Sequence, residues 1–107
     1  METTRHDLRR QDRVICTQTV MVMWRDHRGE EKFANAQALD VSAHGLRLQM
    51  PEAVPQQTSI TLRATKLGLH GRASVRHCFR KGGRFAVGVQ FAGDLRWAPP
   101  ESQQPQS

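Results

Sequence analysis

The sequence predicts an all-β domain, closed as a small six-stranded antiparallel barrel. Three observations carry that prediction. Apolar residues recur at every second position in short runs rich in β-branched side chains, turn residues punctuate those runs, and no segment sustains a period near 3.6. Six short antiparallel strands with one buried face each leave exposed edges unless the sheet closes on itself. A chain of 107 residues suits one domain, burying roughly 65% of its unfolded surface.

The first strand is VICTQTVMVMW, Val14–Trp24, long enough to hold a bulge at Thr17–Gln18. A polar turn around Gly29 leads into the second strand, KFANAQALDVS. The third, GLRLQM, points Leu46, Leu48 and Met50 inward and Arg47 and Gln49 outward. After the proline-bounded loop PEAVPQQ, SITLRA places Ile60, Leu62 and Ala64 on one face. In the fifth strand, LHGRASVRHCF, alternation sets Leu69, Gly71, Ala73, Val75, His77 and Phe79 against His70, Arg72, Ser74, Arg76 and Cys78. KGG turns the chain into RFAVGVQF, with Phe85, Val87, Val89 and Phe91 inward and Gly88 marking a bend or a close contact. A helical turn or two is expected at AGDLRW, and Phe33 is expected to face inward with the other phenylalanines.

The flanks differ in kind. Residues 1–13 are polar, charged and aperiodic, and read as a flexible basic arm; residues 14–97 form the barrel. Residues 98–107 carry prolines and no large apolar side chain, which predicts a disordered tail.

Sixteen basic residues against ten acidic give a net charge of +6, and thirteen of the sixteen are arginine. Arginine presents a planar fork that grips phosphate or guanine through two parallel bonds, so the bias favours an anionic partner. Cys16 and Cys78 stand in separate apolar runs and read as buried hydrophobes. The longest apolar run, VMVMW, is too short to span a bilayer, and no signal-peptide core is present. A soluble, cytoplasmic protein without membrane insertion is the expectation.

Two motifs point to a site. In DVSAHG, alternation projects Asp40 and Ser42 to one side while Val41 anchors the other, and Gly45 permits a positive φ for a sharp turn. A carboxylate so placed can accept paired bonds from the N1–H and exocyclic amine of a guanine; the same side chains could instead cap local amides. Five Asp, five Ser and eight Gly in 107 residues make about 0.02 chance matches to such a pattern. Upstream, LRRQDR holds Arg9, Arg10 and Arg13. The RxxxR spacing alone is weak, since it occurs five times in the chain.

The order RRQDR, then DVSAHG, then VGVQF resembles the PilZ domain, over roughly Arg5 to Phe91. That family is a six-stranded antiparallel barrel that binds the bacterial second messenger cyclic di-GMP. The resemblance assigns Arg9 and Arg13 to the RxxxR motif with Arg10 beside them, and Asp40, Ser42 and Gly45 to the [D/N]xSxxG motif. It implies a nucleotide receptor with no metal or cofactor that passes its signal to a protein partner. The alternative is a PilZ-type protein-interaction module with weak or no nucleotide binding. His44 stands where many members carry a second glycine, and VRHC lacks an aromatic often found after the valine.

Other classes have little support. His77 and Cys78 are neighbours on a strand and face opposite ways, which does not make a metal site. No triad, carboxylate pair or phosphate loop points to an enzyme. A small basic barrel binding single-stranded nucleic acid would need outward stacking aromatics, whereas the phenylalanines are expected inward, and no specific nucleic acid is expected as a partner.

Overall fold

The computed structural model describes residues 13–98. Seven strands follow in order: β1 Val14–Ile15, β2 Thr19–Arg25, β3 Glu31–Val41, β4 Gly45–Met50, β5 Ser59–Ala64, β6 Leu69–Lys81 and β7 Arg84–Phe91. Strands β3, β2, β5, β6, β7 and β4 neighbour one another in that order, and β4 returns to β3, closing a six-stranded barrel. Every pairing is antiparallel. The expected six-stranded barrel is therefore the observed one, while the expected basic arm, Arg13 apart, and the expected tail, residue 98 apart, lie outside the described residues.

The short β1 is the front of the expected first strand, split off where a bulge was foreseen. Between the pairs Ile15–Asp40 and Thr19–Gln37 the first chain advances four residues and β3 three. Cys16 N–H donates to the Leu39 carbonyl and Ala38 N–H to that of Gln18, so both ladders stay attached to β3.

Alternation fills the interior. Val20, Val22 and Trp24 of β2 meet Leu46, Leu48 and Met50 of β4, Ile60 and Leu62 of β5, Val75 of β6 and Val87, Val89 and Phe91 of β7. Leu48, Leu62 and Val75 have no exposed surface, and burying one such side chain contributes roughly 1.5–3 kcal/mol. Cys16 and Cys78 are unpaired, half-buried and packed against this cluster.

Five expectations are corrected. Phe33 and Phe79 are 60% exposed. In β3 the inward phase belongs to Ala34, Ala36 and Ala38, which leaves Phe33 outside, opposite Met23. In β6 the register slips between Val75 and His77. One extra residue inverts the faces downstream, so His77 and Phe79 turn outward and Cys78 turns in. No helix forms at 92–97. A single turn, Leu95 N–H to the Ala92 carbonyl, precedes Trp97, whose amide donates to Ala43 and whose indole donates to the Leu67 carbonyl at 2.9 Å. The buried Trp97 is thus a tertiary stopper tying two loops together. Its indole N–H requires an acceptor once removed from water.

Candidate functional site

The site is built on one row of residues crossing the outer surface of five strands. Register aligns Ile15 of β1 with Asp40 of β3, Asp40 with Arg47 of β4, Arg47 with Gly88 of β7, and Gly88 with His77 of β6. Two bulges put this row together. One lies between Ala38 and Asp40 in β3. The other, between Val75 and His77, swings the imidazole outward. Gly88 leaves a gap in the row, and His77 leans over it so closely that a Cβ on Gly88 would overlap the ring.

Asp40 is 3% exposed, the one buried charged residue among those described. Burying an isolated carboxylate is costly unless cations and donors answer it. Arg13 Nη1 donates to Oδ1 at 3.1 Å, while Arg47 donates to Oδ2 from Nε at 2.8 Å and from Nη2 at 2.6 Å. Both guanidiniums keep about half of their side-chain surface exposed. One buried acid therefore holds two arginines with their outer edges free. The hydrogen bonds from Arg47 to Asp40, aided by their opposite charges, raise the Arg47 pKa above its already high ordinary value. The two-residue β1 explains Arg13: pairing Val14 with Val41 and Ile15 with Asp40 delivers the preceding side chain to the carboxylate.

Ser42 closes the turn from β3 to β4. Its N–H donates to the Gly45 carbonyl at 2.8 Å and its hydroxyl to the same oxygen at 3.3 Å. Gly45 is required for another reason than the expected positive φ, since the left-handed glycines of the chain are Gly29, Gly68, Gly82 and Gly93. A Cβ at position 45 would overlap the backbone oxygen of Val89. Glycine here is what allows β4 to start against β7.

These elements enclose an open cleft of about 240 Å³. Arg13, Ser42, His44, Arg47, Arg76 and His77 line it. Gly45 and Gly88 lie in the floor. Asp40 sits beneath its two arginines. Other hollows are larger, about 550, 510 and 490 Å³: in the first two acids stand among the cations, Arg25 facing Glu31 at 3.6 Å and Lys32 facing Glu52 at 3.3 Å, and the third holds Arg80 without an acid. The clamp of two arginines on one buried acid, not volume, singles out the smaller cleft.

Of the residues picked from sequence, Arg13, Ser42 and Gly45 line this cleft and Asp40 supports it. Arg9 and Arg10 lie outside the described residues. Arg47, Arg76 and His77 were not among them. Arg47 was within reach: a turn that pairs Val41 with Leu46 must pair Asp40 with Arg47. Among the described residues no cluster of three or more His, Cys, Asp or Glu is placed to hold a metal, and no helix is long and apolar enough to cross a membrane.

A closed barrel whose outer corner holds guanidiniums on a buried carboxylate, around a cleft with no competing acid, is built as an anion-binding module. The PilZ domain model matches residues 7–96, and the chain belongs to the PilZ domain family, one of binding domains, not catalysts. No curated protein matches the chain significantly.

Proposed function

We propose that the chain is a receptor for cyclic di-GMP, the ligand generally bound by the family. The observation that carries this reading is the Asp40 clamp: two half-exposed guanidiniums held in place, in a cleft that Arg76 and His77 also line. Cyclic di-GMP offers two phosphates and two guanines. Guanidinium forks can bridge the phosphates, bond guanine O6 and N7, and stack on purine faces.

The cleft's size supports a role for the preceding residues. At about 240 Å³ it falls below the roughly 300–1,000 Å³ that usually encloses a small ligand. Arg9 and Arg10 stand four and three residues before Arg13 and supply the missing wall when they close over the nucleotide. Asp40 has both oxygens engaged and its side chain is 4% exposed. A guanine reaches it when Arg13 transfers from Oδ1 to a phosphate, an exchange of one charge-assisted bond for another. Closure of the arm changes surface shape and charge, which a protein partner can then read.

Exposed Phe33 and Phe79 removed the original objection to single-stranded nucleic acid, but their positions restore it. They stand on β3 and β6, on opposite sides of the ring of strands, and form no common stacking platform.

Calorimetry tests the proposal. Heat is expected with cyclic di-GMP but not with cyclic di-AMP or an oligonucleotide, and Arg13→Ala or Asp40→Ala should reduce affinity about tenfold or more. Binding to all three with a steep salt dependence would reduce the site to nonspecific electrostatics. No heat with any of them would favour the interaction-module reading.

A further inference from the structure

We infer that the outer edge of β6 from His77 to Lys81 is a docking strand for an extended, acidic segment of a partner protein. Strand β5 pairs with β6 only as far as Ser59 opposite Ser74. Beyond it, Thr58 and Gln57 exchange backbone bonds with Val75, and the Gln56 side chain donates to the Arg76 carbonyl at 2.8 Å. From His77 to Lys81 the described residues supply β6 with one strand neighbour, β7. The other edge is open, and beside it the loop Ala53–Gln56 forms a groove of about 490 Å³ with Cys78, Phe79 and Phe85.

Three features select the occupant. An open strand edge offers alternating N–H and C=O groups, which another polypeptide satisfies and a bilayer or a phosphate backbone does not. Apolar contact is available, because Phe79 is 60% exposed and stacks on His77 at 5.2 Å between ring centroids. The surroundings are cationic: Arg76, Arg80, Lys81 and Arg84 have no ion pair among the described residues, and Arg80 lies over the Phe85 ring at 5.8 Å. Charges on a strand edge ordinarily discourage pairing. Here they exclude basic strands, a second copy of this edge included, and admit an acidic one. The chain's own flanks fit poorly, for residues 1–12 balance three acids with three arginines and residues 99–107 carry one acid and no large apolar side chain.

The test uses the full chain, isotope-labelled, titrated with synthetic peptides of alternating glutamate–valine and alternating lysine–valine. The glutamate–valine peptide is expected to shift and protect the His77–Lys81 amides, and the lysine–valine peptide to leave them unmoved. N-methylation of the peptide backbone should abolish binding, because it removes the strand's donors. Arg80→Glu with Arg84→Glu should weaken it about tenfold or more; Phe79→Ser provides a second variant, with the amide spectrum reporting the fold. Arg13→Ala should leave it unchanged, which separates this surface from the nucleotide cleft. The inference is overturned if both peptides bind alike, if neither binds, or if the chain self-associates through this edge. Preference for oligothymidylate or phosphatidylglycerol vesicles at these residues would overturn it equally.

Discussion

Two regions of this barrel carry exposed arginines, and they treat them in opposite ways. At the β3–β4 corner, Arg13 and Arg47 are tied to one buried carboxylate. On the β6–β7 hairpin, Arg80 and Arg84 have no acid partner among the described residues. Arginine count cannot separate the two. A tethered guanidinium has already given up rotamer freedom, so a ligand that meets it loses less on binding. An untethered one supplies long-range attraction and adaptable contact. The corner is suited to a small ligand of fixed shape, the hairpin to a chain that brings its own conformation.

The most damaging change should be at the corner's floor. Gly45→Ala drives a methyl into the Val89 carbonyl, a backbone group that cannot rotate away. A loss of about 1–3 kcal/mol in urea unfolding is expected, together with loss of cyclic di-GMP heat. A neutral result would mean that β4 and β7 can separate there without cost.

Asp40→Asn tests the comparison more sharply. It preserves volume and removes the charge that holds the arginines. The arginines are half-exposed, so the stability loss should be near the low end of charged hydrogen bonds, about 1 kcal/mol. The informative readout is Nε relaxation. Arg47 should be more ordered than Arg80 in the parent chain and should approach Arg80 in the variant. If Arg47 keeps its order, the buried acid is not what distinguishes the two regions.

Gly88→Ala probes the seam between them. Its methyl would overlap His77, but that neighbour is an exposed side chain free to swing out. The stability change should stay below about 1 kcal/mol, while the imidazole resonances and the nucleotide heat both change. An unaltered His77 spectrum would show that the ring does not cover the cleft floor.

Much of this fold was legible in the sequence, because a period of two reports one buried face, and six such faces require closure. Even the bulge at Thr17–Gln18 was visible, as polar residues interrupting an overlong strand. The bulges near Leu39 and Arg76 were not. Each is a one-residue slip decided by which cross-strand pairing buries more, and nothing local marks it. That at Arg76 misdirected His77 and Phe79, and with them the whole docking edge. Gly45 was identified correctly as essential to the turn but for a local reason, when the cause is a backbone from a distant strand. Trp97 was missed for the same reason: a tertiary contact, not a helical period, holds it.

The smallest effect belongs to a second carboxylate that serves as the control for Asp40. Asp26 is half-buried and its Oδ1 accepts backbone N–H bonds from Arg28 at 2.8 Å and Glu30 at 3.0 Å, closing the turn between β2 and β3. The bond from Glu30 is the main cause of a pKa below the ordinary 3.8. A carboxylate whose pKa is lower in the folded chain than in the unfolded one stabilises the fold fully above the ordinary value. That stabilisation fades as pH falls through the lowered value. Asp26→Asn should therefore lower the urea midpoint slightly at about pH 7, and the difference from the parent should shrink as pH falls through the lowered value. Nucleotide heat should not change, since this turn touches no residue of the cleft. A midpoint difference that persists undiminished in acid would show that the Asp26 charge is not what steadies the turn. A carboxylate that holds backbone amides in water would then differ from Asp40 in kind, and not merely in burial.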